Sequence, residues 1–163
     1  MVEVNQMRNI HTKITGFTFF LIVLLFPFVL YAWEAKVLEV LDGDTIVVLK
    51  NGKQIVVRLA SIDCPEIGQP HNIAARKFTD KWVAGKSVTV WPTDTDQEGR
   101  TVAFVFIGKT DLNKELLKAG LAWHHKAHAR DPEFAKLEFD AKAKKVGLWA
   151  EPNPVPPWEW GKT

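Results

Sequence analysis

Three short stretches of the chain hold carboxylates and guanidiniums in patterns that can work on a phosphate ester. Asp42-Gly43-Asp44-Thr45 sets two acids around a glycine. Arg58-Leu59-Ala60-Ser61-Ile62-Asp63-Cys64-Pro65-Glu66 sets an arginine ahead of two acids, and Asp96-Gln97-Glu98-Gly99-Arg100 sets a second arginine behind two more. Cleaving a phosphodiester builds negative charge on the equatorial oxygens at the transition state, and the forked donors of a guanidinium match that geometry. A hard cation held by carboxylates can grip a phosphate oxygen. A further carboxylate can activate or position the attacking water. On this reading Asp44 and Asp63 suit the cation, Arg58 and Arg100 the phosphate, and Glu66 the water.

Taken singly, each stretch also has a plainer reading: a turn between strands, a surface arginine with two solvated turn acids, and a solvated strand end. Only their combination supplies what a phosphodiesterase needs. Arg58 and Asp63 are an odd number of residues apart, which puts them on opposite faces of a straight strand. A shared pocket therefore requires a twist or bulge ahead of Asp63.

The elements that must position these groups follow from the apolar pattern. Val37–Leu41 reads as a strand ended by the Asp42-Gly43 turn. Thr45–Leu49 reads as a second, Asn51-Gly52 as a two-residue hairpin turn, and Gln54–Ile62 as the returning strand. Gln69–Ala84 predicts a helix with Ile73, Ala74, Phe78 and Trp82 near one face and Gly85 at its end. Ser87–Trp91, closed by Pro92, and Thr101–Phe106 complete five strands. Leu112–Ala119 is a short helix, and Asp131-Pro132 caps a third that runs to about Gly147 with Phe134, Leu137 and Ala141 inward. The Pro-rich segment Pro152–Trp158 cannot be helical and is expected to lie extended over the body, docked by Trp158 and Trp160. The expected class is mainly β with α (α+β), a five-stranded OB-type barrel with about three helices over residues 33–151 and a Pro/Trp-rich tail at 152–163.

Composition narrows the classes. A chain of 163 residues has room for one domain, and 47% hydrophobic with 25% charged residues excludes collagen-like, coiled-coil and wholly disordered readings. With 21 Lys+Arg against 19 Asp+Glu there is no uniformly cationic coat, so nucleic acid must be met by a local cluster of charge. The one cysteine, Cys64, excludes an internal disulfide and a Cys-rich zinc site. Residues 1–13 are polar with Arg8 and Lys13, and Ile14–Trp33 carries no charge, with its densest apolar run at Phe17–Phe26 and small Ala32 near its end. That pattern is expected of a signal peptide over 1–32, or of an uncleaved inner-membrane tether through residues 14–33. Both leave the rest of the chain outside the cytoplasm, secreted, periplasmic or membrane-anchored.

In this order, DGDT (Asp42–Thr45), VRLASIDCPE (Val57–Glu66), EGR (Glu98–Arg100), NKELLKAGLAW (Asn113–Trp123) and GLW (Gly147–Trp149) resemble the staphylococcal nuclease, or thermonuclease, family across nearly all of residues 35–150. The resemblance implies an OB barrel with three helices, calcium-dependent cleavage of DNA and RNA, and products ending in 3′-phosphate and 5′-hydroxyl. It implies Ca2+ on Asp44, Asp63 and the main-chain carbonyl of Cys64, with Arg58 and Arg100 as the catalytic arginines and Glu66 as the glutamate usually drawn as general base. No protein partner is implied, and a monomer is expected. Two departures stand out. The family's prototype has threonine where this chain has Cys64, and it contacts nucleotide through tyrosines, one just before the Gly-Arg pair, where this chain has Glu98. The only tyrosine here, Tyr31, lies in the leader, so base contacts are expected from Trp123, His124 or Lys126.

His124 and His128, four apart, could share a helix face, but no third acidic or Cys ligand stands at suitable spacing, so they read as groove-lining or solvated. The alternative function is a non-catalytic OB-fold module that holds single-stranded nucleic acid. The presence of Asp44, Arg58, Asp63, Glu66 and Arg100 together argues against it. A third reading is an interaction domain that offers the Pro-rich tail to another protein.

Overall fold

The computed structural model describes residues 31–125 and 131–162. Residues 1–30 of the expected leader, together with Lys126 and His128, lie outside the described residues. Among the described residues no helix is long and apolar enough to cross a membrane.

Five strands form the body: β1 Trp33–Asp42, β2 Thr45–Lys50, β3 Lys53–Leu59, β5 Ser87–Thr95 and β6 Thr101–Ile107. They run in the order β3-β2-β1-β5-β6, and a parallel pairing of Val57–Leu59 with Thr101–Ala103 joins β3 to β6 and closes the barrel. Closure removes the exposed edges an open sheet would leave. A short β7, Thr110–Asp111, extends β6. A separate two-stranded ribbon pairs β4 (Ile62–Asp63) with β8 (Trp123–His124). Helices α1 (Asn72–Val83), α2 (Leu112–Lys118) and α3 (Pro132–Ala143) pack outside the barrel, and two single 3-10 turns follow at Gly147–Ala150 and Pro157–Glu159. The expected α+β class and OB-type barrel are what the chain forms.

The β-branched runs fill the interior. Ile46, Val48, Val57, Leu59, Val88, Val90, Ala103 and Val105 are all buried. In β1 the buried valines are Val37 and Val40, three apart, because a bulge between Val37 and Glu39 resets the alternation. That bulge turns Leu41 outward, on the side where Leu38 already faces. Asn113, at the start of α2, ties the closing seam: its Oδ1 accepts from Val105 N at 3.1 Å and its Nδ2 donates to the Ala60 carbonyl at 2.8 Å.

Several boundaries differ from those expected. The strand expected over Gln54–Ile62 breaks after Leu59, because Ser61 takes a left-handed φ of 65° and turns the chain out of the barrel to pair with β8. Pro92 does not end its strand: β5 continues to Thr95 through an irregularity between Pro92 and Asp94, the kind of site where a sheet tolerates proline. Helix α1 starts at Asn72 rather than Gln69, since Gln69-Pro70-His71 forms a turn with His71 at φ 68°. Helix α3 ends at Ala143, four residues before Gly147, with Lys145 at φ 51°. The tail is not extended throughout, since Pro157–Glu159 closes into a 3-10 turn.

The buried face of α1 also differs. It is Asn72, Ala75, Thr79 and Val83, whereas Ile73 is 69% exposed. Apolar spacing is right for Phe78 and Trp82, half-buried against the core, and misses Asn72 and Thr79, which pack on loop main chain. Thr79 Oγ1 donates to the Gly43 carbonyl at 2.5 Å, and Asn72 Nδ2 donates to the Pro65 carbonyl and to Asp42 Oδ1, both at 2.7 Å. Gly43 permits the approach, for a Cβ there would stand 2.7 Å from Ala75 Cβ and 2.9 Å from Cys64 Sγ. Replacing Thr79 by Val keeps the shape but strips a buried carbonyl of its donor, and a loss of about 1–3 kcal/mol is expected in denaturant unfolding.

Candidate active site

The barrel register assembles the site. Thr45 on β2 stands opposite Arg58 on β3, and Arg58 stands beside Val102 on β6, two residues past Arg100. Asp44, just ahead of Thr45, and Arg100, just ahead of β6, thus enter from the two strands that neighbour β3. The left-handed Ser61 then folds Asp63 back over the same end of β3. This is the twist that the odd spacing of Arg58 and Asp63 requires.

The Arg58 guanidinium bridges the two aspartates, Nη1 donating to Asp44 Oδ1 and Nη2 to Asp63 Oδ1. Asp44 is buried and further held by Thr45 Oγ1 at 3.1 Å and by Cys64 N, which donates to its second oxygen at 2.6 Å. Asp44 also fixes the strand end through its main chain, where Leu59 N donates to its carbonyl at 2.7 Å. Burial raises the Asp44 pKa above the usual carboxylate range, against the pull of Arg58. Burial, with Asp44 adding to it, pushes Asp63 up to about 6 even though Arg58 draws it down. Burial alone would lower the Arg58 pKa, but the two carboxylates outweigh it and hold the guanidinium charged.

Glu66 sits at the rim, exposed, in the turn Glu66-Ile67-Gly68-Gln69. Partial burial and the negative Asp44 and Asp63 raise its pKa, the direction that favours taking a proton. Gly68, at φ 85°, closes that turn. Arg100 is held by its own hairpin: Nε donates to Asp96 Oδ2 at 2.7 Å, and Nη1 lies 3.3 Å from Glu98 Oε2. Its positive charge still reaches Asp63, whose pKa it lowers. The structure therefore gathers Asp44, Arg58, Asp63 and Cys64 closely, with Glu66 and Arg100 on the rim.

The donor set is one that a hard divalent cation would accept. Asp42, Asp44, Asp63 and Glu66 add to one another's negative field, and inside them Arg58 is the principal positive group. Among the described residues no three His, Cys, Asp or Glu side chains come together as a ready-made cage. The side-chain oxygens on offer are the carboxylates of Asp44 and Asp63, hard donors of the kind that suit such a cation. The Cys64 thiol does not join them: burial, then the neighbouring Asp44, keeps it well above the ordinary thiol range and protonated.

The expected base contacts are not provided by β8. Trp123 and His124 are buried there, Trp123 packed edge-on against Trp149 with ring centroids 5.2 Å apart. His124 lies in a strand, not on a helix face, so the spacing argument for a His124/His128 metal pair does not apply to it. The residues that sequence reasoning passed over are the ones that hold the loops: Asn72, Thr79 and Gln69. Gln69 is buried, and its Oε1 accepts from Glu66 N at 2.8 Å. Polar residues inside an otherwise apolar helix repeat were the available signal.

A family model described as staphylococcal nuclease homologue matches residues 56–151. That stretch takes in Arg58, Asp63, Glu66 and Arg100, while Asp44 lies ahead of it and joins the site through the barrel register. A Haemophilus influenzae protein named "Uncharacterized endonuclease" is 38% identical over 126 residues, 77% of this chain and 71% of its own length. "Protein ParB" of Escherichia coli is 36% identical over 143 residues, covering 79% of this chain and 81% of the relative. "Probable staphylococcal-like nuclease CAN3" of Oryza sativa subsp. japonica is 40% identical over 104 residues, 64% of this chain but 28% of that longer protein.

Proposed function

This chain belongs to the staphylococcal nuclease family and is a nuclease, and we propose that it acts as an exported, calcium-dependent endonuclease on both DNA and RNA with little sequence preference. The observation that carries the reading is the Asp44–Arg58–Asp63 triad, two buried carboxylates joined by one guanidinium at the end of the barrel. Export rests on the apolar N-terminal segment that follows Arg8 and Lys13.

Asp44, Asp63 and the main-chain carbonyl of Cys64 would hold the cation. A hard cation held there supplies positive charge to a phosphate oxygen. Glu66 takes a proton from the water that attacks phosphorus, and its raised pKa makes that transfer easier than for an ordinary carboxylate. Arg58 and Arg100 donate to the equatorial oxygens as charge builds on them. The bond to the 5′-oxygen then breaks and that oxygen takes up a proton from water, leaving a 3′-phosphate and a 5′-hydroxyl. Asn72 and Thr79 keep the two acid-bearing loops in place during this step.

Glu66→Gln tests the assignment and separates the nuclease from the single-strand-binding module. It keeps the shape and hydrogen-bonding reach of the side chain but cannot accept the water's proton. The cleavage rate on plasmid and on RNA is expected to fall by about 10²–10⁴-fold with nucleic-acid binding retained. An unchanged rate would take Glu66 out of the mechanism.

A further inference from the structure

The turn that carries Glu66 has little apolar packing of its own. Ile67 is 81% exposed, and Glu66 and Gly68 are exposed beside it. Hydrogen bonds do the holding. Gln69 N donates to the Glu66 carbonyl at 2.9 Å, and Glu66 N donates back to Gln69 Oε1 at 2.8 Å. The other end of the Gln69 amide reaches across 86 positions of sequence, where Nε2 donates to the Val155 carbonyl at 2.5 Å. Both partners are main-chain groups with fixed roles, so only one orientation of the amide satisfies them. Gln69 is buried between the two.

Val155 belongs to the Pro-rich tail, which begins just past residue 151, where the family match ends. The tail is anchored at both ends of this contact. Glu151 Oε1 lies 3.4 Å from His71 Nε2, Pro157 is buried, and the Trp158 ring meets His125 edge-on at 6.1 Å. A cavity of about 230 Å³, lined by Pro70, Trp123, Leu148, Pro154 and Trp160 among others, remains between tail and body. The tail therefore spans the body as a strap rather than as part of the barrel core.

We propose that this tail positions the Glu66 turn through Gln69, which makes Gln69 a positioning residue and the segment from Pro152 to Trp160 a part of the catalytic apparatus. The proposal rests on Glu66 handling the attacking water. Proline-rich backbone is stiff and loses little entropy on docking, so a carbonyl presented from it is a firm anchor. Gln69 transmits that anchor to the main chain of Glu66. Small displacements of a catalytic group are costly, about 10²-fold for 1 Å, whereas the phosphate contacts, Arg58 on β3 and Arg100 just ahead of β6, lie off this line.

The test uses the full chain, a version ending at Glu151, and Gln69→Met, whose side chain has similar length and removes both hydrogen bonds without adding charge. Each is measured for kcat and KM on DNA with calcium, alone and combined with Glu66→Gln. Loss of the strap and Gln69→Met are each expected to lower kcat by about 10-fold to 100-fold with KM within about twofold. In the Glu66→Gln background either change is expected to cost less than about twofold more, because there is no longer a base to position. A purely structural role would lower the rate in both backgrounds alike. Should the shortened chain fail to fold, Gln69→Met in the complete chain decides the matter. A kcat within twofold of the parent, or a loss that multiplies with that of Glu66→Gln, overturns the proposal while leaving the nuclease reading intact. Full activity of Glu66→Gln alone takes Glu66 out of the mechanism and overturns this proposal with it, while the chain remains a nuclease.

Discussion

Asp63→Asn is expected to cut cleavage steeply and, at neutral pH, to stabilise the cation-free protein. Arg58 faces two carboxylates, so one negative charge at this buried site is not balanced by the guanidinium. Burial and Asp44 push the Asp63 pKa up to about 6 from 3.8, so the folded state binds its proton more readily than the unfolded chain does. The sign follows from linkage. The stability contributed by the protonated carboxyl is present below about pH 4 and is lost as pH rises through about 6. Above that the ionised group costs up to about 3 kcal/mol, since a pKa moved from 3.8 to about 6 weighs about 1.4 kcal/mol for each tenfold change in proton affinity. Asparagine leaves Arg58 paired one-to-one with Asp44. Denaturant unfolding in chelator should show the variant more stable by about 1–3 kcal/mol at pH 7 and no more stable than the parent at pH 4. Cleavage should fall by about 10²-fold or more. A variant less stable than the parent at pH 7 would mean that the second carboxylate supports the fold instead of opposing it.

Arg58→Lys is expected to cost about 10²–10³-fold in kcat, the loss seen when one donor to a developing oxyanion is removed. Charge is kept, so the result turns on geometry. An ammonium is a point charge on a flexible stem and cannot span Asp44 and Asp63 with two parallel donors as the guanidinium does. Substrate binding, dominated by cationic contacts with phosphates, should change far less than the rate. Steady-state kinetics on DNA separates the two: a raised KM with unchanged kcat would make Arg58 a binding residue with no part in the chemical step.

Much of the architecture was legible because it follows from period and turn chemistry. The β-branched runs at Thr45–Leu49 and Thr101–Phe106 become barrel strands, Asn51-Gly52 becomes the hairpin turn, and Asp131-Pro132 caps α3. Asp111 caps α2 as well, accepting from Asn113 N and Lys114 N. What could not be read is what depends on contacts remote in sequence. Helix α1 buries Asn72 and Thr79 because their partners, Asp42, Gly43 and Pro65, come from two other loops. Apolar spacing therefore favours the exposed Ile73. Ser61 adopts a left-handed backbone that no glycine or asparagine announces, and so a single expected strand becomes two. At the site the residue types and their order were visible. That Arg58 lies between Asp44 and Asp63, and that Arg100 is drawn to Asp96, are properties of the folded register.

Incubating the purified protein with plasmid DNA and with RNA, in calcium and then in excess chelator, tests the central claim most directly. Cleavage of both in calcium, its loss in chelator and its return on adding calcium back are the predicted results. Absence of cleavage with any divalent ion, or cleavage undiminished by chelator, would contradict the cation-assisted nuclease described here.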